Sequence, residues 1–304
     1  MAEFDSVCAA LCLLTRAAPA EDMPPPLSRG MMSRLLSAGA LSGLVLRETD
    51  LIDAALLDRA RLLLSRAKSV YRCLEIYLEQ GYEVILPQDD LWPERLFALG
   101  VRMPQFLFLR GNHSLLSARK IAVAGSREIP ASVVRSSYDI GRRIAGEGFC
   151  LVCGGARGVD IAAQRGAMDS GGALVLVPAQ PEKRLFEDPE YQAAIGAGRM
   201  LIVYDSLPDD PFSPQRAIAR NHTIYALGEA AIAVAPRDGV GGTWRGALDC
   251  LSMGGTPVFV PRGESLGGAG GEALVSRGAR WFDSSLALEG QLLSVKQTDL
   301  FSVI

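Results

Sequence analysis

A chain of 304 residues, 49% of them apolar and 21% charged, has room for one large domain or two smaller ones with a full core. Its formal charge of −3 excludes a generally basic nucleic-acid binder, so any contact with a polyanion has to come from a local patch. Lysine occurs only at Lys68, Lys120, Lys183 and Lys296, which leaves arginine, with its forked donors, to carry nearly all the positive charge.

The amino terminus, Met1-Ala-Glu-Phe-Asp5, is acidic ahead of its apolar stretch, the reverse of a signal peptide. No run approaches the ~20 apolar residues of a membrane span. A cytoplasmic protein without membrane contact is expected. Residues 1–80 read as a helical domain: Val7–Thr15 is apolar, Pro24-Pro-Pro26 interrupts, and Leu27–Ala38 resumes a helical pattern. Asp53 is placed to N-cap one long helix to about Gln80, with Gly81 after its end. Glu83–Leu86 and Phe106–Leu109 are candidate strands, with a turn and short helix at Asp89–Pro93.

Residues 120–177 hold the organising core. Lys120-Ile-Ala-Val-Ala-Gly125, Phe149-Cys-Leu-Val-Cys153 and Ala173-Leu-Val-Leu-Val177 are apolar on both faces, as buried parallel strands are. Helix-like patterns separate them. The expectation is an α/β chain: an extended Rossmann-like parallel sheet flanked by helices, with a small N-terminal helical domain. Met200–Tyr204, Ala230–Ala235 and Val258–Val260 continue the strands. Gln215–Leu227 and Trp244–Met253 read as helices, and Pro208–Pro214 as a rigid loop.

The turns point to an anion. Gly125-Ser126-Arg127 and Gly154-Gly155-Ala-Arg157 put glycines where backbone N–H groups can approach a ligand, ahead of helix N-termini and beside guanidinium groups. Gly241-Gly242-Thr243 is a third such turn. The dinucleotide fingerprint is absent, and no cofactor is expected. Tight turns with solvated arginines account for the same residues more blandly. Arg216 and Arg220 are i,i+4 neighbours whose repulsion a phosphate, Asp209 and Asp210, or water could relieve. Cys150 and Cys153 have C-x-x-C spacing, but i and i+3 of a strand face opposite ways. With His113 and His222 the only histidines, no metal site is expected, and buried reduced thiols are.

Gly125-Ser-Arg127 followed by Gly154-Gly-Ala-Arg-Gly-Val-Asp160 resembles the DprA/Smf family of DNA-processing proteins. This family shares a Rossmann-like superfamily with lysine-decarboxylase-like phosphoribohydrolases. The resemblance starts at Gly81-Tyr-Glu-Val-Ile-Leu-Pro-Gln-Asp-Asp-Leu-Trp-Pro93, continues through Pro104–Gly111 and runs to about Trp281. It implies three parts: a helical N-terminal domain (1–80), a Rossmann domain (81–283) and a tail (284–304).

By this resemblance the chain binds single-stranded DNA, acts in DNA processing during transformation or recombination, loads a RecA-type recombinase and forms a homodimer. The family's Arg-Asn-Arg phosphate motif is matched by Arg220 and Asn221, with His222 in place of the second arginine. Gln164 replaces a family histidine. The expected phosphate contacts are the three glycine turns with Arg127, Arg157, Arg216, Arg220, Asn221 and His222; Lys183, Arg184 and Arg245 are secondary.

A nucleotide sensor or phosphoribohydrolase-like enzyme using the same turns is the alternative. The Gly-Gly-Thr form is similar to those relatives, but the glutamate they use is absent at the matching position. Asp160 and Asp249 are the carboxylates to test, Asp160 being equally suited to orient its own turn. No catalytic constellation is expected. An adaptor that kept the fold and lost its ligands is a third reading. In the tail, Gln297-Thr-Asp-Leu300-Phe301 resembles peptides that dock on the bacterial sliding clamp; a last helix or strand packing Leu300 and Phe301 is the competing reading.

Overall fold

The computed structural model describes residues 2–18, 23–181 and 187–301, with side chains for 5–18, 23–181 and 187–295. Two compact units share the chain. The first comprises Met1–Trp92, Gly100–Arg110 and Tyr204–Asp210; the second comprises Pro93–Leu99, Gly111–Val203 and Pro211–Ile304.

The first unit begins with helices α1 (Ala2–Leu14) and α2 (Arg29–Ser37) and a short hairpin, β1 (Leu41–Ser42) and β2 (Val45–Leu46). The helix expected from Asp53 to Gln80 is two helices, α3 (Ala54–Leu64) and α4 (Ala67–Glu79). Asp53 does cap the first, accepting from Leu56 N–H at 2.9 Å. The break falls at Arg66, which is buried and donates to the carbonyls of Cys12, Thr15 and Ala17 at the end of α1. Those carbonyls have no helical partner of their own, and Arg66 satisfies them. Strand β3 (Glu83–Ile85) pairs antiparallel with β4 (Leu107–Gly111).

The unit therefore does not end at Gly81. Tyr77, Tyr82, Phe106, Phe108 and Tyr204 stack edge-to-face at centroid separations of 5.1 to 6.4 Å, which gathers three separate stretches of sequence. The Tyr77 hydroxyl donates to Asp209 Oδ1 at 2.5 Å.

In the second unit, β5 (Lys120–Gly125), β6 (Cys150–Cys153), β7 (Leu174–Leu176), β8 (Met200–Tyr204), β9 (Ala230–Val234), β10 (Val258–Pro261) and β11 (Arg280–Phe282) pair in parallel, in the order β11-β10-β9-β5-β6-β7-β8. Every residue of β6, β8 and β9 is buried, which is why these strands read as unbroken apolar runs. Helices α5 (Ala131–Gly146), α6 (Val159–Asp169), α7 (Pro189–Gly196), α8 (Pro214–Leu227), α9 (Gly241–Met253) and α10 (Gly268–Val275) connect them. Helices α5 and α6 touch backbone to backbone: a methyl at Gly141 would lie 1.9 Å from the Ala163 carbonyl oxygen.

The chain winds from β5 through β8 in one direction, then returns through α8 to lay β9 on the other side of β5. The strand order reverses between β5 and β9. Open α/β sheets bind ligands at such a point, outside the carboxyl ends of the strands.

The segment expected as a free tail is largely helix. Helix α11 (Leu288–Phe301) buries Leu288, Leu292 and Val295, and its first two leucines share a small cavity with Ile121, Ile232, Phe259 and Phe282. Its Leu288 N–H donates to Glu147 Oε2 at 2.6 Å. The side chains of Gln297, Leu300 and Phe301 lie outside the described residues. No helix among the described residues is long and apolar enough to cross a membrane.

Candidate anion-binding cleft

A cleft of about 590 Å³ opens at the reversal between β5 and β9. The β5 turn lines it with Gly125, Ser126, Arg127 and Glu128; the β6 turn contributes Ala156, Arg157 and Asp160. The segment after β9 adds Arg237, Gly241, Gly242, Thr243 and Arg245, the loop before α8 adds Phe212, and the middle of α8 adds Arg220 and Asn221. Three turns far apart in sequence thus converge because β5, β6 and β9 are adjacent in the sheet.

Four arginines, Arg127, Arg157, Arg237 and Arg245, stand exposed around the cleft. Among the described residues none of the four makes an ion pair. Arg127 lies over the Phe212 ring at 5.4 Å. Glu128 is the one exposed carboxylate among the described lining residues. The positive ends of α6 and α9 face the same space, and neither helix has a side-chain cap on its first turn. The cleft concentrates positive potential in a chain that is acidic overall.

Other expected contacts are placed differently. Arg220 is 5% exposed, and its guanidinium lies on Gly154: a Cβ there would come 1.2 Å from Nη1. Gly154 N–H and Ala156 N–H donate to Asp160 Oδ2 at 3.1 and 3.3 Å. Burial pushes the Asp160 carboxyl up; the Arg220 charge and the N–H groups of Ala156, Gly154 and Gly125 pull it down. Asp160 thus orients its own turn. Gly154 and Gly155 do not line the cleft; Gly154 makes room for Arg220.

The neighbours of Arg220 also brace the chain. Asn221 Nδ2 donates to the Gly242 carbonyl at 3.2 Å. His222 is buried, with Nε2 2.8 Å from Asp249 Oδ2, so it does not face the cleft, and Asp249 is engaged. Arg216 donates to the Pro211 carbonyl at 3.0 Å and is not among the residues lining the cleft. Ser126 Oγ donates to the carbonyl of Ala235, a non-glycine residue at φ 49°. Thr243, in the first turn of α9, accepts at its carbonyl from the Tyr225 hydroxyl at 3.4 Å. Lys183 and Arg184 lie outside the described residues.

Gly125 serves packing as well as approach, since a methyl there would meet Val159 at 2.3 Å. Sequence reading missed Arg237 and Phe212. Arg237 follows the apolar run 230–235 in the same way that Arg127 follows β5, and that repetition was a usable signal. Phe212 carried none, lying in a proline-rich loop. All six cysteines are free thiols, and no cluster of His, Cys, Asp or Glu able to hold a metal occurs among the described residues.

A sequence model for the family described as DNA recombination-mediator protein A matches residues 83–289, more than half of the chain. The chain belongs to that family. DNA processing protein DprA of Mycobacterium tuberculosis is 31% identical over 179 residues, 53% of this chain and 45% of that protein. The matched part thus spans about half the length of the curated relatives. The X-ray structure of DprA from Streptococcus pneumoniae superposes with a TM-score of 0.70 at 20% identity, covering 97% of this chain and 98% of that one. DprA from Helicobacter pylori, whose structure is described as revealing a single-stranded DNA binding mode, gives 0.55 at 20% identity over 71% and 96%. The Rossmann-like fold of DprA is therefore present here.

Within this DprA-family chain, Gln164 has a local role. Its Nε2 donates to Cys153 Sγ at 3.1 Å and its Oε1 accepts from the Tyr191 hydroxyl at 2.8 Å, tying β6 to α7. Burial, the main cause, pushes the Cys153 thiol up to about 12.

Proposed function

We propose that this chain holds single-stranded DNA by its phosphates in the cleft between β5 and β9. The observation that carries the proposal is the set of four exposed arginines, free of ion pairs with described residues, around one opening at the reversal of strand order. Guanidinium groups at separate turns suit a flexible, repeating anion: successive phosphates can each find a donor. The exposed Phe212 ring offers a face on which a base can stack without sequence preference. The mechanism is binding, with no bond broken.

On this reading the chain acts in DNA processing, presents single strands to a RecA-type recombinase and pairs with a second copy, as its family membership suggests. The residues Gln297, Leu300 and Phe301 dock on a sliding clamp. Helix α11 has to release its last turns for this, because a docking peptide needs Leu300 and Phe301 free to enter a pocket.

The test is competition in solution. Labelled single-stranded oligonucleotide is bound, then challenged with unlabelled single strand, duplex or mononucleotide. Displacement by single strand at far lower concentration than by the others is expected. Displacement by a mononucleotide at equal phosphate concentration overturns the reading in favour of a nucleotide-sensing site.

A further inference from the structure

Family resemblance makes Arg220 a phosphate ligand, but its surroundings give it other work. It is among the most buried charged side chains described, at 5% exposure, whereas Arg127, Arg157, Arg237 and Arg245 all stand exposed. Its guanidinium fills the space that any side chain on residue 154 would need. The N–H of that same Gly154 is held by Asp160 Oδ2, as is the N–H of Ala156. Asp160 is 3% exposed. A buried carboxylate needs a compensating charge, and burial without one is costly. Two residues further on, Gly158 stands at φ 82°, and a Cβ there would lie 2.4 Å from the Ser126 carbonyl oxygen. The β6 turn is thus fixed at one end against the β5 turn and at the other beneath Arg220. Arg157 lies between these two anchors.

We infer that Arg220 is a positioning residue: seated on Gly154 beside the Asp160 carboxylate, it holds the turn 154–158 in the shape that presents Arg157 to the cleft, and it is not itself a phosphate contact. The inference rests on the proposed anion site and goes further, because it separates the groups that bind from the group that shapes. Asn221 and His222 extend the same brace, one reaching the Gly242 carbonyl and the other Asp249. The helix turns these three consecutive side chains outward about 100° apart, so each meets a different element.

Binding and shaping leave different marks on salt dependence. Removing one phosphate contact to a single strand lowers the slope of log K against log salt by about 0.7, whereas losing a positioning group weakens binding and leaves the slope alone. The variants are Arg220→Gln, the charge-balanced pair Arg220→Gln/Asp160→Asn, and Gly154→Ala, which displaces Arg220 without removing any charge. Each is followed by thermal melting and by anisotropy with a labelled single-stranded oligonucleotide across salt.

Arg220→Gln is expected to melt lower and to bind at least tenfold more weakly. The charge-balanced pair is expected to recover melting, and affinity to within about threefold, with the wild-type slope. Gly154→Ala is expected to lose affinity at unchanged slope. A charge-balanced pair that binds weakly with a slope reduced by about 0.7 overturns the inference. A pair that melts no higher than Arg220→Gln also overturns it, because the two charges would then not compensate each other. Absence of salt-dependent binding in the wild-type chain would count against the DNA reading alone; recovery of melting in the pair would still uphold the brace.

Discussion

His222 Nε2 sits 2.8 Å from Asp249 Oδ2, joining α8 to α9 across the side of the cleft that carries Gly241 and Gly242. His222 is buried and the Asp249 side chain is 32% exposed, so the contact is only partly screened by water. His222→Ala is expected to destabilise the chain by roughly 1–3 kcal/mol, since it leaves a cavity and removes the hydrogen bond between α8 and α9. The slope of oligonucleotide affinity against salt should not change. Chemical denaturation and salt-titrated binding measure the two effects separately.

Helix α11 is anchored by its first half. Leu288, Leu292 and Val295 are buried, and Arg119 bridges to Glu289 at 2.6 Å. Leu292→Ala should cost about 2–3 kcal/mol by the usual price of a truncated core leucine. The described anchoring contacts all lie within residues 288–295, so deleting residues 296–304 should leave stability within about 0.5 kcal/mol, while abolishing capture by immobilised sliding clamp. Undiminished capture after the deletion would remove the clamp peptide from the account.

The thiols provide a check on burial. Burial pushes Cys150, Cys153 and Cys250 up to about 12. The reactive form is the thiolate, and a group whose value lies at 12 is almost wholly protonated at pH 8. Cys73 is the one cysteine that is not buried. Native protein at pH 8 should therefore react faster at Cys73 than at Cys150, Cys153 and Cys250, with all six cysteines reacting in denaturant. Mass mapping of iodoacetamide adducts distinguishes these outcomes.

Helix α5 meets α6 without intervening side chains. Gly141→Ala places a methyl 1.9 Å from the Ala163 carbonyl oxygen, and backbone cannot yield as a flexible side chain can. A loss of at least ~2 kcal/mol is expected, in the range of overpacked cores, with a reduced melting temperature as the readout.

The strands were legible because both of their faces are buried. β6, β8 and β9 contain no exposed position, so no alternation obscured them. The glycine turns were legible too, but their purpose was not. Gly154 looks like an opening for a ligand, yet Arg220 from α8 occupies that opening, and the contact joins residues 66 positions apart, a distance no local pattern reports. The same blindness hid the split of the helix after Asp53. Arg66 lies within good helical spacing, and only the unsatisfied carbonyls at the end of α1 reveal why the chain breaks there. The sequence pattern puts His222 among the phosphate contacts because its partner, Asp249, lies on a different helix. Arg237 was overlooked because it follows the strand by way of proline, without the glycine that marked the other two turns.

The central claim is that exposed arginines at the reversal of strand order bind the phosphates of a single strand. Its most direct test is the salt dependence of oligonucleotide anisotropy for wild type and for Arg127→Ala/Arg157→Ala. Both side chains are exposed and free of ion pairs with described residues, so the folded state should survive their removal. The account predicts a slope smaller by about 1.4, two contacts at about 0.7 each, together with weaker binding. An unchanged slope with unchanged affinity would contradict it and place the site elsewhere on the chain.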